Sequence, residues 1–420
     1  MLLFRQQEKI FILLNRPLLL LICSVCFTIL LIFYALHAPD SINFTAKNAG
    51  YVPSNSSSSL HPPAKEDAKC NLFKGRWIWD EKGPLYTNFS CKTIPDKKNC
   101  FLHERMDKDF LHWRWKPDEC ELPVFDPRSF LSIARGKTMA FIGDSVSRNQ
   151  MESLLCLLST EETPKDVYKD AKDRFRTWHF PHYNFTMMSL WSRFLVTSSQ
   201  TIVNGSVTGG FDVHLDKVDD NWAPKLPVVD YAIFSDAQWF LRQNYLYEGG
   251  NLIGCIYCQE PNVTDLGPGF AIQRAFRTAF NYINDCKNCF GILTLLRTIS
   301  PSQFENGTWK TGGSCVRTSP LAPEEIQDAG GTDMEYRNIQ MAEIESARKR
   351  GEKIGNRFDV LDVTGAMLMR PDGHPGLHWR NKKKGYSDCV HWCMPGPIDV
   401  WNEFLLEVLR RQSHFPLRSR

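Results

Sequence analysis

Apolar and polar positions divide the chain into four regimes. From Leu18 to Leu36, nineteen consecutive residues carry no charge (LLLLICSVCFTILLIFYAL). As a helix they span roughly 28 Å, close to the thickness of a bilayer's hydrocarbon core. Residues 37–69 show no hydrophobic period and contain Asn-Ser-Ser-Ser-Ser and His-Pro-Pro, a composition suited to a spacer stem. Residues 70–122 concentrate cysteine and tryptophan, again without a sustained period, which predicts a small irregular module held by disulfides. From about residue 123 to 420 the pattern becomes α/β. Short apolar runs at Lys137–Ile142, Val228–Phe234, Gly291–Leu296 and Phe358–Val363 read as buried strands. Helical periods run from Ser145 through Leu158 and over Phe270–Ile283, Met334–Lys349 and Ile398–Arg411. Strands alternating with helices predict a parallel sheet covered on both faces, with His179–Ser199 as an antiparallel excursion from it.

Charge and sequons add a compartment. Arg5, Lys9 and Arg16 precede the apolar run and Asp40 follows it, so residues 1–36 read as a cytosolic tail and uncleaved type II anchor. The run is longer than the apolar stretch of a cleaved signal peptide. Asn43, Asn55, Asn88, Asn184, Asn204, Asn262 and Asn306 each open an Asn-x-Ser/Thr acceptor, all after the anchor. A net charge of +3 over 420 residues argues against a nucleic-acid partner, and 43% hydrophobic residues exclude a disordered chain.

Setting aside Cys23 and Cys26 in the span leaves an even set for an oxidising lumen. These are Cys70, Cys91, Cys100, Cys120, Cys156, Cys255, Cys258, Cys286, Cys289, Cys315, Cys389 and Cys393. Cys255-x-x-Cys258 and Cys286-x-x-Cys289 have the spacing of zinc knuckles. In that compartment they read as disulfides, with no metal expected. The pairing of the other eight cannot be read from spacing, although some are expected to tie residues 70–122 to the rest of the chain as a clamp.

Two strings carry candidate chemistry. Gly143-Asp144-Ser145 joins a buried strand to a helix, which places a hydroxyl at the edge where α/β folds bind ligands, next to free helix N–H groups. Asp144 in that position is ordinary capping chemistry. Asp388-Cys-Val-His391 puts a carboxylate about one turn from an imidazole, able to fix its tautomer, and Cys389 and Cys393 bracket the pair. Aromatic faces suit sugar rings, and Trp239, Trp309, Trp379 and Trp392 lie in or beside these strings as candidate substrate contacts or as core. His374, in Pro-Asp-Gly-His-Pro, reads as a turn residue.

An early Gly-Asp-Ser with a late Asp-x-x-His resembles the SGNH/GDSL esterase superfamily. More narrowly, the chain resembles the plant trichome birefringence-like (PC-esterase) family through four strings: Phe141-Ile-Gly-Asp-Ser-Val-Ser-Arg-Asn-Gln150, Arg297-Thr-Ile-Ser-Pro-Ser-Gln-Phe-Glu-Asn-Gly307, Arg370-Pro-Asp-Gly-His-Pro375 and Asp388-Cys-Val-His-Trp-Cys393. The resemblance implies an SGNH/GDSL-like three-layer α/β/α sandwich and a Golgi O-acetyltransferase acting on a cell-wall hemicellulose, xyloglucan or mannan before xylan. It implies Ser145 as nucleophile, His391 as base and Asp388 as orienting carboxylate. Arg148, Asn149 and Gln238 are its candidates for positioning the acyl oxygen. The segment Phe234-Ser-Asp-Ala-Gln-Trp-Phe240 lacks the Gly and Asn that superfamily hydrolases use as oxyanion donors, and Gln303 stands where many relatives have His. No bound cofactor is implied. The co-substrate is an acetyl donor, either acetyl-CoA or an acetylated carrier supplied by a membrane protein, and the acceptor is a wall polysaccharide. Two other readings stay open from the residues: an acetylesterase with the same triad, and a non-catalytic wall-polysaccharide binding protein.

Overall fold

The computed structural model describes residues 70–322, 325–326, 331–379 and 385–413. The predicted anchor, the stem and the sequons Asn43 and Asn55 lie outside the described residues. Among the described residues no helix is long and apolar enough to cross a membrane.

Residues 70–122 hold a regular element that the sequence does not announce. Strands β1 (Gly75–Trp79) and β2 (Trp113–Pro117) pair antiparallel. A Cβ on Gly75 would stand 2.2 Å from the Lys116 carbonyl oxygen, so glycine permits the pairing. Trp115 is buried, donates its indole N–H to Leu72 O (2.9 Å) and meets Phe404 edge-on.

The chain continues through α1 (Pro127–Ile133), β3 (Thr138–Gly143), α2 (Ser145–Leu158), β4 (Lys165–Lys169), β5 (Arg176–Phe180), β6 (Phe185–Trp191), β7 (Val196–Val203) and β8 (Ser206–Val218). Next come β9 (Tyr231–Ser235), β10 (Asn244–Glu248), β11 (Asn251–Ile256), α3 (Gly267–Asp285), β12 (Leu293–Arg297), α4 (Gly331–Gly351), β13 (Arg357–Leu361), α5 (Thr364–Leu368) and α6 (Val400–Gln412). The main sheet has the order β13-β12-β9-β3-β6-β5-β4. Its first five strands are parallel, and β5 and β4 extend it antiparallel. The predicted excursion at His179–Ser199 is divided between two sheets: its first part belongs to the main sheet, where β6 pairs parallel with β3 and β5 antiparallel with β6, and its last residues open β7 of a second sheet.

Alternation along the central strands feeds two cores. Met139 and Phe141 of β3 face one, with Leu154 and Leu155 of α2 and Trp401 and Phe404 of α6. Ala140 and Ile142 face the other, with Phe276 and Phe280 of α3 and Ile344 of α4. Each fully buried Leu, Ile or Phe stabilises by about 1.5–3 kcal/mol relative to exposure, so the sheet is held from both sides. The result is the three-layer α/β/α sandwich that the resemblance implies. A second sheet, ordered β11-β10-β8-β7, joins the α3 side, and Asn204-Gly205, both at positive φ, turn β7 into β8.

All twelve candidate cysteines pair. Cys70–Cys120 closes within residues 70–122, Cys91–Cys156 ties that segment to α2, and Cys100–Cys393 ties it to the loop after His391. Cys255–Cys258 and Cys286–Cys289 are disulfides, and Cys315–Cys389 completes the set. Of the described sequons, Asn184, Asn204, Asn262 and Asn306 are exposed and Asn88 is half-buried.

Candidate active site

Strand β3 delivers Ser145. Its last residue, Gly143, has φ +144°, and a Cβ there would sit 1.8 Å from the Ser235 carbonyl oxygen of β9. Only glycine allows that approach. Asp144 caps α2, accepting from the N–H groups of Val146 (2.8 Å) and Ser147 (3.4 Å). Ser145 is the first residue of the helix and is half-buried. Within the parallel strands the winding reverses between β3 and β9, and folds of this type bind ligands outside the carboxyl ends of the strands at that point.

The loop 388–393 completes the arrangement. His391 Nε2 lies 2.8 Å from Ser145 Oγ, and Nδ1 lies 2.8 and 3.1 Å from the two oxygens of Asp388. A carboxylate only accepts, so Nδ1 carries the proton and Nε2 turns a lone pair to the serine hydroxyl. Burial alone would raise the Asp388 carboxyl. The adjacent His391 ring and the backbone N–H groups of His391 (3.0 Å) and Val390 (3.2 Å) outweigh it and hold the group well below the usual carboxylate range. The geometry is that of a hydroxyl nucleophile, its base and the group that orients the base.

Surrounding contacts fix this loop. Asp388 and Gly376 exchange backbone hydrogen bonds (2.8 and 3.0 Å), and disulfides leave from Cys389 and Cys393 on either side of His391. Asn149 of α2 accepts from the Trp392 N–H (2.9 Å) and donates to its carbonyl (3.4 Å). Buried His374 donates from Nδ1 to the His391 carbonyl (2.7 Å), stacks 4.1 Å from Trp392 and lies against the Gln303 side-chain amide. Burial pushes the His374 pKa down to about 4, so the ring is neutral and its proton sits on Nδ1.

The other candidates separate. Arg148 turns away to Glu152 (2.8 Å) and Asp173 (3.0 Å), and the Gln238 amide donates to Ser300 O (2.8 Å). Trp239 is half-buried, Trp309 is 47% exposed, and half-buried Trp379 donates to Tyr386 O (2.8 Å). Trp392 must be corrected: it is 0% exposed, with its indole N–H on Ser300 Oγ (2.8 Å), so it is core and lines no glycan groove.

A buried charge group beneath the serine turn escaped the sequence reading. Asp144, Asp236 and Arg297, from the ends of β3, β9 and β12, line one cavity with room for about one water. Neither Asp236 oxygen has a well-formed hydrogen bond, the adjacent Ala237 N–H being its one nearby donor. Burial, and then the nearby Asp144, pushes its carboxyl well above the ordinary range, while burial holds Arg297 down to about 10. The available signal was a carboxylate directly following an apolar strand run.

Comparison with known proteins follows the same division of the chain. Residues 122–408 match PC-Esterase, described as a GDSL/SGNH-like acyl-esterase family found in Pmr5 and Cas1p, and residues 68–121 match the PMR5 N-terminal domain. The chain is 60% identical over 353 residues to xyloglucan O-acetyltransferase 4 of Populus trichocarpa, covering 84% of each chain. It is 53% identical over 348 residues to xyloglucan O-acetyltransferase 2 of Arabidopsis thaliana, covering 82% of this chain and 84% of the relative. Protein trichome birefringence-like 19 of Arabidopsis thaliana is 43% identical over 350 residues, with 82% of each covered. With the serine, histidine and aspartate joined at the edge of such a sheet, and with matches of this extent, the chain belongs to the PC-Esterase family.

Proposed function

We propose that the chain transfers acetyl groups from an activated donor to hydroxyls of a wall hemicellulose, xyloglucan first, through an acetyl-enzyme on Ser145. The observation that carries this reading is the continuous Ser145–His391–Asp388 hydrogen-bond relay in a chain whose relatives are named for xyloglucan O-acetylation. His391 Nε2 takes the Ser145 proton as Oγ attacks the acetyl carbonyl. The tetrahedral adduct collapses, and the leaving group departs with the proton from His391. A sugar hydroxyl then attacks the Ser145 ester, gives its proton to His391 and leaves acetylated, restoring the serine. Base catalysis of this kind is worth roughly 10²–10⁴-fold.

The proposed place of action is the Golgi lumen, with the N-terminal run as a type II anchor. The six disulfides and the exposed sequons support an oxidising compartment of the secretory pathway. The test is acetyl transfer by the purified full chain to xyloglucan, mannan and xylan oligosaccharides, read by mass. Gain of acetyl on xyloglucan, lost by at least about 10³-fold in Ser145→Ala, is expected. Turnover that survives Ser145→Ala would remove the acetyl-enzyme. Acetylated oligosaccharides that lose mass while none gains it would make the chain an esterase.

A further inference from the structure

The sheet edge that carries Ser145 also carries a cluster of arginines. Gly143, the last residue of β3, pairs with Trp191 of β6 on one side and Ser235 of β9 on the other. The segments leaving those two strands bring Arg193 and Arg242 together around one indole. Arg193 lies 5.1 Å from the Phe211 ring centre and 5.2 Å from that of Trp239. Arg242 lies 4.2 Å from Trp239 and 5.2 Å from exposed Trp309. Arg174 faces Trp191 at 5.9 Å and is near enough to repel Arg193.

Other half-buried arginines do meet carboxylates, Arg148 with Glu152 and Asp173 and Arg337 with Asp362, although Arg357 at the sheet's β13 edge does not. Among the described residues, Arg193 and Arg242 form no ion pair, and the Nε of each is buried without an acceptor, as is the Trp191 indole N–H. Burial pushes both guanidinium pKa values down, then repulsion by Arg174 at Arg193, partly offset by Asp219, and repulsion by Arg193 at Arg242. Aromatic faces offset part of that cost. What remains is a half-buried patch at the strand ends beside the nucleophile candidate, where three guanidinium groups outnumber one nearby carboxylate, Asp219, which is not ion-paired with any of them.

We propose that Arg174, Arg193 and Arg242, with Trp239 and Trp309, cradle the phosphates of the acetyl donor, an acetyl thioester of the coenzyme A class. This rests on the acyl-transfer reading above. A transferase seats two substrates at one nucleophile, and a hemicellulose of neutral sugars brings no anion for these arginines. Planar guanidinium forks match phosphate oxygens, and an exposed indole suits a purine face. Seated there, the thioester loses its C–S bond as Ser145 Oγ bonds to the acetyl carbon, and the thiolate takes the proton from His391.

Coenzyme A and pyrophosphate would be titrated calorimetrically into the full chain and into Arg193→Gln/Arg242→Gln, at low and high salt. Kinetics would use acetyl-CoA and the uncharged donor p-nitrophenyl acetate. Expected is coenzyme A binding that pyrophosphate competes away, that salt weakens and that the double variant loses by at least about ten-fold. Ten-fold is the change for roughly one charge-assisted hydrogen bond. The ratio of kcat/KM for acetyl-CoA to that for p-nitrophenyl acetate falls by the same factor. Equal loss with both donors overturns the proposal, since the arginines then only brace the aromatic packing. Absence of coenzyme A binding overturns it, as does binding of an oligogalacturonide in its place. If the wild type binds coenzyme A through these arginines yet turns over neither donor, the cradle stands and acyl transfer fails. If it turns over p-nitrophenyl acetate without affinity for coenzyme A, the Ser145 chemistry stands and the cradle fails.

Discussion

Asp236 is 3% exposed, and beyond the neighbouring Ala237 N–H its oxygens find no donor, so its neutral form is the one the fold accommodates. Its folded pKa is raised, so the folded chain keeps a proton that the unfolded chain releases above about pH 3.9. The stability this contributes is complete below that value and is lost as pH rises through the folded pKa. Asp236→Asn keeps the shape and removes the titration. Urea unfolding of both proteins at about pH 5 and about pH 8 is therefore expected to show the wild type losing stability relative to the variant at the higher pH. A constant difference would mean Asp236 is ionised in the fold. His374, held down to about 4, contributes the opposite slope in both proteins and cancels in the comparison. At this scale the sequence is a poor guide to direction. Arg148, Asn149 and Trp392 all sit in strings that carry chemistry, yet one turns to Glu152, one clamps a loop and one is core. A string tells which residues are near the turn, whereas side-chain aim depends on which partners the fold brings in, from Glu152, four positions from Arg148, to Trp392, 243 positions from Asn149.

Elements were legible where burial is two-sided. The runs leading into β3, β9 and β12 are central parallel strands buried on both faces, and such strands read as nearly unbroken apolar text, while edge strand β13 keeps a charged Asp359 among its apolar residues. Strand β4 is exposed at every position, and β7 has four exposed positions among eight, so no period marks them. Pairing with a neighbour, not amphipathic patterning, makes those segments strands. Helix α2 shows how an element positions the site: it presents Ser145 at its first residue and Asn149 one turn on, where the amide holds both polar groups of the Trp392 backbone. Asn149→Ala leaves those buried groups unpaired, at a cost of about 1–3 kcal/mol. Because the groups adjoin His391, kcat is expected to fall while KM for the acceptor changes little. An effect on KM alone would place Asn149 in substrate binding instead.

Over the whole molecule, the connection that sequence could not supply is the one between residues 70–122 and His391. The even cysteine count announced disulfides, but partners are decided in three dimensions, and Cys100 and Cys393 stand 293 residues apart. Their bridge matters doubly. A crosslink over so long a separation restricts the unfolded chain far more than Cys255–Cys258, whose ends are three residues apart. It also anchors the loop two residues beyond His391, where Arg105 reinforces it by donating to the carbonyls of Asp372 (2.6 Å) and His374 (3.0 Å). Removing it with Cys100→Ala/Cys393→Ala is expected to cost about 2–4 kcal/mol in chemical unfolding. On the proposed acyl-transfer reading it should also lower kcat more than that loss of folded protein accounts for, because His391 then samples positions away from Ser145. Cys255→Ala/Cys258→Ala is expected to shift unfolding far less and to leave the alignment of His391 alone. If both double variants lose stability equally and neither changes kcat, the long bridge is a passive crosslink, and Asn149 and His374 suffice to hold His391 in place.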